Sequence, residues 1–318
     1  MTKVTMEAST THRPESPALR IRVPASTSNL GPAFDASGLA LQLYLRVDVK
    51  RLNGGEPVIE YHGKDAHLVA CDASNLIWRT MALVAEQAGR RLPSFAMRVE
   101  NEIPITKGLG SSAAAYLAAV AAADFICELE LPREEWLKIA TACEGHPDNV
   151  APALYGGLVS SISGRTILCS RAVFPPEWTI VAVTPDFELE TKKARSVLPA
   201  EVPYKDAVFN VQRVAFLMSQ LVQGRREGVR EAMRDRLHQP YRGSLMPGLQ
   251  EILEMDDEPG LIGRALSGAG STVVAFADSC ENEIAARMCG VFRARGLNAE
   301  VRLLKADNDG LTIRLTQP

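Results

Sequence analysis

Aromatic side chains make up only 6% of this 318-residue sequence, and neither sign of charge dominates: 35 Lys and Arg stand against 38 Asp and Glu, for a net charge of −3. So balanced a charge leaves no electrostatic footprint for nucleic acid or an anionic membrane, and neither is an expected partner. Long apolar runs are also missing. The longest, 113–123, is closed by Asp124 and falls well short of the ~20 residues that a bilayer crossing needs. The segment 1–17 lacks the continuous apolar stretch of a secretion signal, and its Thr, Ser and Pro content reads as a flexible N-terminal tail. The six cysteines form no C-x-x-C pair and the five histidines no H-E-x-x-H, so a structural zinc site is not expected. Reduced thiols and a cytoplasmic location are. The Walker string G-x-x-x-x-G-K-[S/T] is absent too.

What is present is the composition of an ordinary globular protein, 46% hydrophobic and 23% charged. At ~150 residues per domain the length suggests two domains. Over 39–50, Leu39, Leu41, Leu43, Leu45, Val47 and Val49 share one face and Gln42, Arg46, Asp48 and Lys50 the other, the period of a half-buried strand. Shorter alternation predicts strands over 19–23 and 95–99. Helical spacing predicts helices over 75–89, 112–126 and 132–143. Strands are expected over 157–163 and 166–174, after which Pro175-Pro176 marks a boundary. Beyond it the pattern predicts a strand over 179–183, helices over 206–222, 226–237 and 248–255, a strand over 272–277, a helix over 281–295, and strands over 299–304 and 311–315. The expected class is α+β, with domains over 18–170 and 171–318.

Three clusters carry chemistry. In the segment 104–113, Gly108 and Gly110 precede Ser111, Ser112 and an alanine-rich helix; converging backbone N–H groups and a helix N-terminus make an anion cradle suited to phosphate. A glycine turn with a serine cap is the plainer reading. G-L-G-S-S-A also fits a dinucleotide fingerprint, but the next element reads as a helix where that fold needs a strand ending in an acid. The second cluster crowds Glu144, His146, Asp148 and Asn149 into a loop after a helix, with Gly156-Gly157 following. The third, 267–272, reads by itself as a tight turn.

Together, in this order and spacing, the clusters resemble the GHMP kinases over residues 19–316. The string 23–35, Val-Pro-Ala-Ser-Thr-Ser-Asn-Leu-Gly-Pro-Ala-Phe-Asp, is similar to the first motif of members that act on homoserine. The resemblance implies a two-domain GHMP kinase fold, the N-terminal domain like ribosomal protein S5 domain 2 and the C-terminal one ferredoxin-like. It implies an ATP-dependent kinase that converts L-homoserine to O-phospho-L-homoserine for threonine biosynthesis, with ATP and Mg²⁺ as cofactors and a homodimer as the assembly. The alternatives are another small alcohol as substrate, a silent ligand-sensing paralogue and an NAD-binding dehydrogenase.

Carried over by position, ATP would lie along Pro104, Ile105, Thr106, Lys107, Gly108, Leu109, Gly110, Ser111, Ser112, Ala113 and Ala114, with Asn75 near the adenine. Ser112 and Glu144 would hold the metal. Substrate would meet Asn29, Asp35, His146, Asn149 and Thr191, with Arg195 and Arg242 clamping its carboxylate. Thr106 and Lys107 depart from the commoner P-x-G-S-G-L-G-S-S-A form. Asn149 stands where mevalonate kinase-like members have an aspartate base, and an amide cannot take a proton. The expectation is direct in-line attack of the hydroxyl, with Asn149, Glu144 and Lys107 as the catalytic residues.

Overall fold

Period-two patterning in the first half and helical spacing in both halves give the elements of the computed structural model, which describes residues 18–255 and 258–316. The expected tail over 1–17 lies outside the described residues. In chain order they are β1 (Ala18–Ser28), β2 (Ser37–Arg51), β3 (Val58–Gly63), α1 (Leu76–Gln87), β4 (Phe95–Asn101), α2 (Ser111–Cys127), α3 (Arg133–Glu144), α4 (Pro147–Tyr155), β5 (Leu158–Ile162) and β6 (Leu168–Ala172). They continue with β7 (Thr179–Pro185), α5 (Thr191–Ser196), α6 (Tyr204–Val222), α7 (Val229–Ala232), α8 (Gln239–Arg242), α9 (Leu249–Glu254), β8 (Leu261–Leu266), β9 (Val273–Ala277), α10 (Glu281–Ala294), β10 (Ala299–Leu304) and β11 (Thr312–Thr316).

The first sheet runs β11-β1-β2-β4-β3, with β5 and β6 continuing from β2 as a hairpin. The odd-numbered residues of β2 from Leu39 to Val49 are all buried, as the alternation requires, and the even-numbered ones from Gln42 to Lys50 are half-buried or exposed. Helix α2 is apolar all round and lies inside the core, where its alanines let α1, α4 and β1 approach closely. The second sheet, β10-β7-β9-β8, is antiparallel throughout. Both faces of β7 are covered: Ile180 and Ala182 join the core under the first sheet, while Val181 and Val183 pack with Leu249, Ile252, Ile284 and Phe292. Among the described residues no helix is long and apolar enough to cross a membrane.

The structure departs from the sequence pattern at several elements. The polar run after α3 is a helix rather than a loop: Pro147 sits at its first turn, where a missing N–H costs nothing, and Gly156 ends it at φ 76°. The helix expected over 226–237 shrinks to α7, because the Asp235 carboxylate accepts from the N–H groups of Leu237, His238 and Gln239 and starts α8 instead. The last strand, β11, pairs with β1, so the segment 171–318 contributes a strand to the first sheet. A strand absent from the sequence reading, β3, runs parallel to β4.

Candidate active site

The 104–110 loop reaches the start of α2 through a tight path. Thr106, Gly108 and Gly110 all have positive φ, at 57°, 78° and 69°. A Cβ on Gly108 would meet the Ser267 carbonyl oxygen at 2.2 Å, and one on Gly110 the Ser26 hydroxyl at 2.2 Å. The loop is thus clamped between β1 and the 267–272 turn. The Ser267 hydroxyl donates to the Gly108 carbonyl (2.6 Å), and the Thr272 N–H to the Lys107 carbonyl (3.0 Å). Lys107 Nζ donates to the Phe187 carbonyl (2.8 Å), which pins its stem beside the loop.

Across the loop, the Ser112 hydroxyl donates to Glu144 Oε1 (2.8 Å), joining the first turn of α2 to the last turn of α3. Burial pushes the Glu144 carboxyl up, against the Ser112 hydrogen bond and the charges of His146 and Arg195. A hydroxyl and a carboxylate meeting at a cavity wall form an oxygen donor pair that suits Mg²⁺. On α4 the side chain of Asn149 is fixed at both ends: its carbonyl oxygen accepts from Ser26 and its amide donates to Ser28, each at 3.0 Å. His146 Nδ1 donates to the buried carboxylate of Asp148. Burial alone would lower the His146 imidazole, but Asp148 and Glu144 outweigh it and the net shift is upward.

Two guanidinium groups converge on the same cavity. Arg195, on α5, makes a two-pronged pair with Asp35 (2.9 and 2.7 Å). Arg242, on α8, is 1% exposed, donates to the carbonyls of Ala194 (3.2 Å) and Gly268 (2.9 Å), and lies 3.2 Å from His238 Nδ1. Both stand over the Phe34 ring, 5.4 and 5.1 Å from its centroid. Burial, and then the neighbouring Arg195 charge, lower the Arg242 guanidinium to about 10. A buried cation beside a second, half-buried one is relieved by an anion between them. Asn29 closes the corner in a left-handed turn at φ 72°, donating to the Gly268 carbonyl (3.0 Å) and accepting from the Asp35 N–H (2.9 Å).

These groups line one cavity of about 430 Å³. Of the residues expected from sequence, Asn29, Asp35, Asn75, Ile105, Thr106, Lys107, Gly108, Gly110, Ser111, Ser112, Glu144, His146, Asn149, Thr191, Arg195 and Arg242 all border it. Four do not. Leu109, Ala113 and Ala114 are in the core, and Pro104 borders a different concavity. Asn75 borders the cavity with its side chain already engaged, accepting from the N–H groups of Ile77 and Trp78 and donating to the Ala70 carbonyl, so it caps α1. Also bordering it are members of the second and third clusters that had no assigned site role, Asp148 and 268–270, and an apolar end outside the sequence expectation, formed by Tyr61, Leu68, Val69 and Ile77. The glycines of 267–272 were the available signal for the second of these; Tyr61 and Leu68 carry none, being ordinary apolar residues brought in by tertiary packing.

The family models for the GHMP kinase N-terminal domain and the GHMP kinase C-terminal domain match residues 75–157 and 217–294. The chain is 39% identical over 297 residues to a homoserine kinase of Desulfitobacterium hafniense, covering 93% of this chain and 99% of that one. It is 42% identical over 282 residues to a homoserine kinase of Solibacter usitatus, covering 88% and 92%. The crystal structure of homoserine kinase from Cytophaga hutchinsonii shares its fold, with a TM-score of 0.82 at 23% identity over 98% of this chain and 100% of that one.

Proposed function

Because the chain belongs to the GHMP kinase family, we propose that it transfers the γ-phosphoryl group of ATP to the hydroxyl of L-homoserine, the activity named for its relatives, in threonine biosynthesis. The observation that carries the substrate reading is the convergence of Arg195 and Arg242 on one ring, in the same cavity as the glycine loop and the Ser112–Glu144 pair. Homoserine is a zwitterion with a primary alcohol, and the cavity offers a partner for each end. The two arginines suit its carboxylate, the Asp35 carboxylate its ammonium, and Asn149 its hydroxyl. The apolar end by Tyr61 and Ile77 suits a purine, with the phosphates on the N–H groups of 107–112.

Ser112 and Glu144 would hold Mg²⁺, which when bound offsets charge on the nucleotide phosphates. The protein groups do the rest by positioning. Asn149, held by Ser26 and Ser28, has one amide hydrogen and one lone pair left to orient the attacking hydroxyl. A loose phosphoryl-transfer transition state asks for little early deprotonation, so an in-line attack needs no strong base, and Lys107 and the loop N–H groups take up the charge that develops. A homodimer in the cytoplasm goes with this reading. Six free thiols suit a reducing compartment. Tyr204, Val208, Val211 and Val222 form an exposed stripe on α6 at spacings of four, three and eleven residues, which a second copy would cover.

The test is ADP release with Mg²⁺ against homoserine, threonine, serine, mevalonate and galactose. Homoserine should be preferred, and a stronger response to any of the others overturns the assignment. Glu144→Ala should lower turnover by about 100-fold or more, and near-normal activity would remove Glu144 from the metal role.

A further inference from the structure

The outward face of the first sheet, on the opposite side of the strands from the core, holds a second concavity of about 440 Å³. Five arginines border it, Arg20, Arg22, Arg46, Arg98 and Arg314, against only two carboxylates, in a chain whose net charge is −3. Strand pairing enforces the crowding: Arg20 lies between Arg314 and Asp48, and Arg22 between Thr312 and Arg46.

The carboxylates are already taken. Asp48 accepts from Arg20 at both oxygens (2.7 and 3.1 Å), Glu100 accepts from Arg98 (3.0 Å), and Arg46 pairs with Glu102 at the rim. Arg22 and Arg314 have no carboxylate partner among the described residues. Arg22 is nonetheless held in place, with its guanidinium over the Tyr44 ring at 4.7 Å and that of Arg46 over the same ring at 5.1 Å. Tyr44 is itself anchored by its hydroxyl to Asp307 (2.9 Å). The Arg22 Nε is shut away from solvent without a hydrogen-bond partner, which leaves the Nη edge to meet whatever enters.

From this geometry we infer that the face is an anion site, separate from the catalytic cavity, for a small, multiply charged oxyanion of the phosphate class. Planar guanidinium forks match tetrahedral oxyanions in two-pronged fashion, and several forks held at fixed spacing suit a ligand with several charged oxygens better than a lone carboxylate. Asp48 and Glu100 inside the concavity oppose a long polyanion such as nucleic acid, which would have to run over them.

Pyrophosphate is the probe, titrated calorimetrically into the whole protein with saturating ADP filling the nucleotide site. One pyrophosphate per chain should bind. Arg22→Gln/Arg314→Gln should weaken that binding at least tenfold while leaving kcat and KM unchanged without pyrophosphate, and Arg51→Gln, away from the concavity and paired with Glu128, should leave it intact. Arg314→Gln alone, on the edge strand, should weaken it several-fold, so the outcome does not hang on the packing of Arg22. Parallel titrations with inorganic phosphate and glycerol phosphate identify a free or an esterified anion as the better ligand. Absence of pyrophosphate binding to the ADP-filled protein, or unchanged binding in the double variant, overturns the inference.

Discussion

Thr106 occupies a position where the commoner form of the phosphate loop has glycine, and its backbone shows why: φ is 57°, a region that β-branched residues rarely adopt. Such a residue holds about 1–2 kcal/mol of strain. Thr106→Gly should therefore raise the melting temperature by a few degrees, and a lower one in thermal scans would mean that the side chain stabilises the loop more than its backbone costs. His238 gives a pH-dependent counterpart. Burial holds its imidazole below the ordinary 6.5, with Arg242 acting the same way and Asp235 opposing. The unfolded chain then binds this proton more readily than the folded one, so the contribution is full above about pH 6.5 and is lost as pH falls from there towards the folded value, by up to about 1.4 kcal/mol per pH unit. Between pH 6.5 and 5.5 the melting temperature of the natural protein should fall more steeply than that of His238→Gln; equal slopes would show that His238 does not carry the effect. At this scale the sequence is informative about which residues border the cavity and silent about how they pair. Ser112, Glu144 and Asn149 are legible because they sit in strings with few other purposes. The pairing of Asp35 with Arg195 is not, because the two lie 160 positions apart and only the fold brings them together.

Helix α4 carries Asp148 and Asn149, with His146 as its N-cap, and its seat on β2 sets how far they reach into the cavity. At the contact, an added Cβ on Gly38 would lie 2.0 Å from the Asp148 carbonyl oxygen and 3.0 Å from Pro152 Cγ. Pro152 has no N–H to give the Asp148 carbonyl, so the usual bond across that helical turn is missing and the oxygen is left beside β2. Gly38→Ala should cost about 1–3 kcal/mol by overpacking and lower kcat more than it shifts the KM for ATP, since the 104–110 loop proposed to hold the phosphates belongs to another element. Steady-state kinetics beside thermal melting would show this, and a well-tolerated alanine would mean that α4 can slide without harm. The strand β2 could be read from its alternation because one face of it is wholly buried. Helix α4 could not, because a short run of Pro, Asp, Asn and His has the composition of a turn and becomes a helix only through its proline start and its packing on β1 and β2.

For the whole molecule, the apolar stripe on α6 bears on assembly. In the proposed homodimer a second copy would cover Val211 (69% exposed) and Val222 (58%), which face water in the single chain. Val211→Glu/Val222→Glu should turn a dimer into a monomer in light scattering; a natural protein that is already monomeric, or a variant that stays dimeric, would rule out this face. The α+β class and the two-sheet division were legible in the alternation of patterns, because each half has its own strands and helices. The membership of β11 was not, since a short strand with Ile313 and Leu315 exposed reads the same in either sheet. Its place has a consequence for how the protein is made. Thr316 pairs beside Ala18, 298 positions earlier, so at ~5–20 residues per second β1 waits about 15–60 s for its second neighbour. Throughout that time the nascent chain presents an open strand edge that any other extended segment can pair with. Ribosomes translating one message in close succession would bring several such edges together, so the yield of folded protein should depend on the spacing of ribosomes and on chaperone cover as much as on the stability of the finished fold.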